Sequence, residues 1–165
     1  MKYLLIMILL QLVGCGATPH VYSNETETNK AKEFEKPTDG TAVVYVYAMG
    51  QYGFGSKYYN IVANESCVAR MDSMTFTKFN VPAGKTRLGI FSVTGINDSQ
   101  YVLEPNSINI FTVQKALDRA LWLTAVEVKD YKEAVERINK MPLIEAGHCI
   151  ISDERVAYFD AGGSM

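Results

Sequence analysis

Charge of one sign is what this chain most lacks: 16 Lys and Arg stand against 18 Asp and Glu, with neither a basic stripe nor a polyacidic run. A nucleic-acid surface needs such a patch, so no nucleic-acid partner is expected. Histidine is scarce, with His20 near the start and His148 near the end. General-base chemistry would therefore rest on His148, beside a Ser or Cys nucleophile and without an elbow motif or an orienting carboxylate. Long apolar runs are missing as well. A membrane-spanning helix needs roughly 20 apolar residues, and the run ahead of Gly14 has about ten. The three cysteines, Cys15, Cys67 and Cys149, lack the close ligand pairs of a structural zinc site, and no metal is expected. Phosphate and dinucleotide motifs also fail. Gly84-Lys85-Thr86 resembles the end of a P-loop, but Phe79 stands where its first glycine belongs, and Gly50, Gly53 and Gly55 open no helix. No cofactor and no catalytic residue set is expected.

What the chain has is an informative start. Lys2 supplies a positive n-region, Leu4 to Leu10 an apolar h-region, and Leu12-Val13-Gly14-Cys15 follows directly. This resembles the lipobox of bacterial lipoprotein signal peptides. The resemblance implies cleavage after Gly14, diacylglycerol on the Cys15 thiol and an acylated new amino terminus. Removing Lys2 takes the net charge from −2 to −3. Burial of acyl chains contributes about 0.8 kcal/mol per methylene, and several chains hold a protein on a membrane where one does not. Gly16 stands where an Asp would favour inner-membrane retention, so the periplasmic face of the outer membrane is the favoured address.

If Cys15 carries lipid, Cys67 and Cys149 remain. An oxidising compartment makes them candidates for a disulfide worth about 4 kcal/mol of loop entropy; the alternative is two buried thiols that never meet. Residues 15–36 are polar, with Asn24-Glu25-Thr26-Glu27 and no apolar period, and read as a lipidated flexible stalk. The body begins at Pro37-Thr38-Asp39-Gly40, a turn before the β-branched and aromatic run Thr41–Tyr47. Strands follow at 58–63, 67–71, 76–81, 86–93, 108–113 and 121–128. Asn64-Glu65 is a turn, and Pro82-Ala83-Gly84 is expected as a hairpin turn, with Gly84 at positive φ. Many short strands at roughly 8–12-residue spacing predict a mainly β fold, a small antiparallel β-sandwich. Asp130 then caps one C-terminal amphipathic helix, whose stripe is Tyr131, Ala134, Val135, Ile138 and Met141 before Pro142. Such a stripe must cover an end or face of the sandwich.

The order of these features resembles a family of small bacterial lipoproteins carrying the DUF2846 domain. The matching residues are Gly40 with Val43-Val44-Tyr45-Val46-Tyr47, Gly53 and Gly55, Val81-Pro82-Ala83-Gly84-Lys85-Thr86, Ile108-Asn109-Ile110-Phe111, and Lys132-Glu133-Ala134-Val135. Met49 departs from an Arg common near that point, and Asn64-Glu65-Ser66 replaces an Asp-Gly turn. The resemblance implies a transthyretin-like or PEGA-like sandwich over residues 37–142, with a C-terminal extension at 143–165, and brings no activity with it.

The expected role is a membrane-anchored, non-enzymatic envelope module that binds a protein or polysaccharide through loops or a free strand edge. The best contact residues in the sequence are Gln51, Tyr52, Phe54 and Tyr58, amphipathic groups on or beside a glycine-rich loop. Two alternatives stand beside it: a hydrolase pairing His148 with a Cys or Ser, and an inhibitor or immunity-like module.

Overall fold

The run Thr41–Tyr47 becomes β1, the central strand of a five-stranded sheet, in a computed structural model that describes residues 21–50, 58–92, 95–115, 121–147 and 149. Every residue of β1 after Thr41 is buried, as an unbroken apolar run requires; a strand with one wet face alternates instead. The other strands are β2 (Tyr58–Ala63), β3 (Ser66–Asp72), β4 (Phe76–Pro82), β5 (Gly84–Ser92), β6 (Gly95–Leu103), β7 (Ile108–Lys115), β8 (Leu121–Ala125) and β9 (Leu143–Ile144). They form two sheets, β8-β7-β1-β4-β9 and β3-β2-β5-β6. Between the sheets, Val44 and Val46 of β1 pack with Ile61, Met71, Phe79, Leu88, Ile90, Phe111 and Leu123. The arrangement fits a β-sandwich.

Only the four-stranded sheet is antiparallel throughout. In the other, β1 pairs in parallel with β7, and β4 with β9, which corrects the all-antiparallel expectation. The cause lies in the turn before β7. Asn106 donates its backbone N–H to the Thr41 carbonyl at 2.7 Å, its Oδ1 accepts from the Gly40 N–H at 2.9 Å, and the Val43 N–H donates to Ser107. The start of β7 is thus pinned beside the start of β1, and the two strands must run the same way.

Strand β6 was not expected from the sequence, because Asn97-Asp98-Ser99-Gln100 carries no apolar alternation. Its polar groups are matched across strands. Asp98 pairs with Arg87 of β5 at 2.8 Å, and Asn97 Nδ2 donates to the Leu121 carbonyl. Asn64 and Glu65, with φ of 46° and 69°, close the β2–β3 hairpin as expected, and Gly84 has the expected positive φ of 107°. The Pro82–Gly84 turn, however, carries the chain from β4 in one sheet to β5 in the other, which corrects the expected hairpin there. The expected strand 121–128 ends at Ala125, and a short 3-10 turn, Val128–Asp130, follows.

The outer face of the mixed sheet is covered by two helices rather than one. The expected C-terminal helix is α2 (Tyr131–Ile138); the other, α1 (Glu25–Ala31), lies inside the segment read as stalk. Ala31 of α1 and Ala134, Ile138 and Met141 around α2 pack on Val43, Tyr45, Tyr47, Phe76 and Ile110. Asp130 precedes α2 in αR conformation and makes no capping bond, correcting the expected cap. Asn24 caps α1 instead, its Oδ1 accepting from the Glu27 N–H at 2.9 Å.

A seven-residue helix does not persist in water alone, so docking must supply the stability of α1. Tyr45 Oη donates to the Ala31 carbonyl at 2.8 Å, and Phe34 stacks on the Tyr45 ring with centroids 4.7 Å apart. Burial, with the Glu35 carboxylate adding to it, pushes the Tyr45 phenol well above its ordinary range. Residues 21–36 therefore belong to the folded body and not to the expected stalk. The boundary at 142 also moves, since Leu143 and Ile144 form β9 beside Phe76 and Thr77.

Candidate functional site

The edges of the sandwich, proposed from sequence as a docking surface, are largely occupied. Edge strand β9 is covered by the chain just ahead of α1: Ser23 N–H donates to Leu143, Glu145 N–H donates to Val21, and Tyr22 bridges Ile144. At the same end, edge strand β3 gives its Val68 carbonyl to the Gly147 N–H at 2.7 Å. Beside it, Cys67 and Cys149 form a disulfide, with Cα atoms 6.1 Å apart. At the opposite end, β8 accepts side-chain donors from β6, Asn97 Nδ2 on Leu121 O and Tyr101 Oη on Leu123 O, each at 2.9 Å. Strand addition at β9 would have to displace native pairing first.

Among the described residues, two open concavities lie on the helix-covered face, on either side of α2. Strand β7 changes character along that face. Ile108 and Ile110 lie under the helices, whereas Thr112 and Gln114 emerge beyond α2. With Thr124 of β8 they floor a groove of about 430 Å³, walled by Tyr47 and Met49 and rimmed by Glu127, Asp130, Glu133 and Arg137. Arg137 Nε donates to Glu133 Oε1 at 3.1 Å, an exposed pair one helical turn apart that contributes little stability. Glu127 is in turn paired with Lys129 Nζ at 2.8 Å, so three carboxylates face two cations and the rim keeps only a slight negative excess. Hydroxyl and amide groups below a rim of largely paired charges suit a hydroxyl-rich neutral group. The second groove, about 460 Å³, is more apolar, with Phe34, Ile108, Ile110, Tyr131 and Val135 beside Lys36, Asn106 and Ser107.

Of the contact residues expected from sequence, Tyr58 opens β2, and the Arg70 guanidinium lies 4.1 Å from its ring centroid. Gln51, Tyr52 and Phe54 lie outside the described residues, as do Leu12, Val13, Gly14, Cys15 and His148. The cysteine pair is joined, so neither Cys67 nor Cys149 is a free thiol, and the Cys67–His148 nucleophile is removed. The polar groove was missed by the sequence reading. Its signal was the switch from Ile108 and Ile110 to Thr112 and Gln114 at alternate positions of one strand.

Among the described residues, no three His, Cys, Asp or Glu side chains stand close enough to hold a metal ion. No described helix is long and apolar enough to cross a membrane.

No family model matches the chain, and no curated protein matches it. The DUF2846 resemblance therefore has no support beyond its motif order. Among solved structures, the N-terminal domain of AlgF from P. aeruginosa aligns at 16% identity with a TM-score of 0.36, covering 53% of this chain and 95% of that one. That likeness is too distant to carry a fold or a role across.

Proposed function

We propose that this protein is a lipid-anchored, extracytoplasmic binding module of a bacterial envelope, tethered through Cys15, whose sandwich recognises a partner through the polar groove between α2 and strands β7 and β8. The observation that carries this reading is the division of labour among three cysteines. Cys67 and Cys149 are bonded to each other, a state at home in an oxidising compartment, and Cys15 is left at the end of a lipobox-like segment. The outer membrane is the favoured site because Gly16 follows the cysteine.

The groove supports binding rather than turnover in this reading. Its carboxylates lie on a solvent-facing rim, and Glu133 is engaged with Arg137. A polyol such as an envelope polysaccharide has the chemistry that its hydroxyl and amide floor complements. The experiment is expression of the parent and of Cys15→Ser with radiolabelled palmitate, followed by membrane fractionation. The parent is expected to take up label and sediment with membranes, and the variant to do neither. Equal fractionation of both, with the leader uncut, contradicts the proposal.

A further inference from the structure

Resting on the lipid-anchor reading above, we infer that the folded body lies directly against the lipid headgroups through its β9 edge, with the α2 groove on the far side. The argument is one of reach. From Cys15 to Val21 there are six residue steps, and Val21 is already held, its carbonyl accepting from the Glu145 N–H at 3.1 Å. Six residues fully extended span at most about 20 Å. The long flexible spacer that the polar composition of residues 15–36 suggests does not exist, because α1 and the residues before it are folded onto the body.

The tether also leaves from one side. The chain enters along β9, at one edge of the five-stranded sheet, and the polar groove lies over β7 and β8 at the other. Four inter-strand steps of about 4.8 Å put the two edges roughly 19 Å apart. The permitted span is therefore about the width of the sheet, and turning β8 toward the bilayer would need the tether drawn out to its full length with no slack. The surface beside the tether fits this position. Tyr22 is half exposed there, and tyrosine, with an apolar ring and a polar tip, is favoured at membrane–water boundaries. The nearby charges, Glu27, Lys78 and Glu145, line one shallow cleft and leave it without the basic excess that would draw anionic lipid. Contact is imposed by the short tether, and its partner is a zwitterionic or weakly charged headgroup layer.

The test uses the full lipidated protein in vesicles of zwitterionic phospholipid with a quencher on the headgroup. A single fluorophore is placed on an azide-bearing residue at exposed Ala146, beside β9, or at exposed Val128, beyond β8. The probe at Ala146 is expected to be quenched several-fold more than that at Val128. A Gly/Ser insertion of about 20 residues between Ala17 and Thr18, with a root-mean-square length of about 25 Å, is expected to remove that difference. Equal quenching of the two sites in protein that floats with the vesicles overturns the inference and leaves the anchor intact. Protein that carries no lipid and fails to float overturns the anchor reading and the inference with it.

Discussion

The two ends of the sandwich are closed by different means. At the β9/β3 end, backbone hydrogen bonds from Val21, Ser23, Glu145 and Gly147 are reinforced by the Cys67–Cys149 disulfide, so covalent and main-chain links act together. At the β8/β6 end, side-chain donors from Asn97 and Tyr101 reach carbonyls of the facing edge. Main-chain pairing plus a cross-link resists local opening, whereas an isolated side-chain bond contributes about 1 kcal/mol. The firm end is the one where Val21 joins the body, and the end closed by side chains lies beside the polar groove. In the anchored arrangement proposed above, strain from the membrane would be met at the firm end.

The largest effect expected is at the firm end. Reduction of the disulfide, or a Cys149→Ser substitution, reopens a loop with a sequence separation of 82 and is expected to cost about 4 kcal/mol. For a chain of this length that lowers the melting temperature by roughly 10 °C. Thermal unfolding with and without reductant checks it. An unchanged midpoint would mean that main-chain pairing alone secures this end, and the contrast between ends would shrink.

Next comes the weaker end. A Cβ on Gly89 would lie 2.4 Å from Asp98 Cβ and 2.6 Å from the Asn97 carbonyl oxygen, both on β6, so Gly89→Ala must push β6 away from β5. Overpacking of this kind costs about 1–3 kcal/mol. Hydrogen exchange is expected to accelerate along β6 while the amides of Glu145 and Gly147 keep their protection. Uniform acceleration would show that the two ends open together.

Tyr45→Phe removes the bond to Ala31 and is expected to cost about 1 kcal/mol at neutral pH. It also changes the alkaline limb of stability. The phenol is raised in the folded state, so the stability held by its neutral form is complete below its unfolded value of about 10 and is lost as pH rises above that. Denaturant titrations from pH 8 to 11 are expected to show a shallower alkaline decline in the variant; parallel curves would remove Tyr45 as the cause. The smallest effect is at Tyr101→Phe, which frees the Leu123 carbonyl for about 1 kcal/mol or less and is expected to raise exchange in β8 without altering β9.

Much of this architecture is legible in the sequence. Strand β1 announced itself because a seven-residue β-branched and aromatic run has no other stable burial, and the stripe from Tyr131 to Met141 marked a helix that had to lie on something apolar. Strand β6 was hidden because Asn97 and Asp98 meet their needs through partners distant in sequence, Leu121 and Arg87, which a local pattern does not contain. Helix α1 was hidden for a related reason. Its one buried residue is Ala31, and the docking depends on Phe34 and Tyr45 meeting on the outer face of the sheet. The groove was half legible, since the change from Ile110 to Thr112 marks where helix cover ends, but the rim carboxylates arrive from α2 and the turn before it.

Intact mass measurement of the protein extracted from native membranes, under non-reducing conditions, tests the central claim most directly. The account predicts a chain beginning at Cys15, heavier than its polypeptide by a diacylglyceryl and an acyl group, and lighter by the two hydrogens lost in the Cys67–Cys149 bond. An unmodified chain that still begins at Met1 would contradict it.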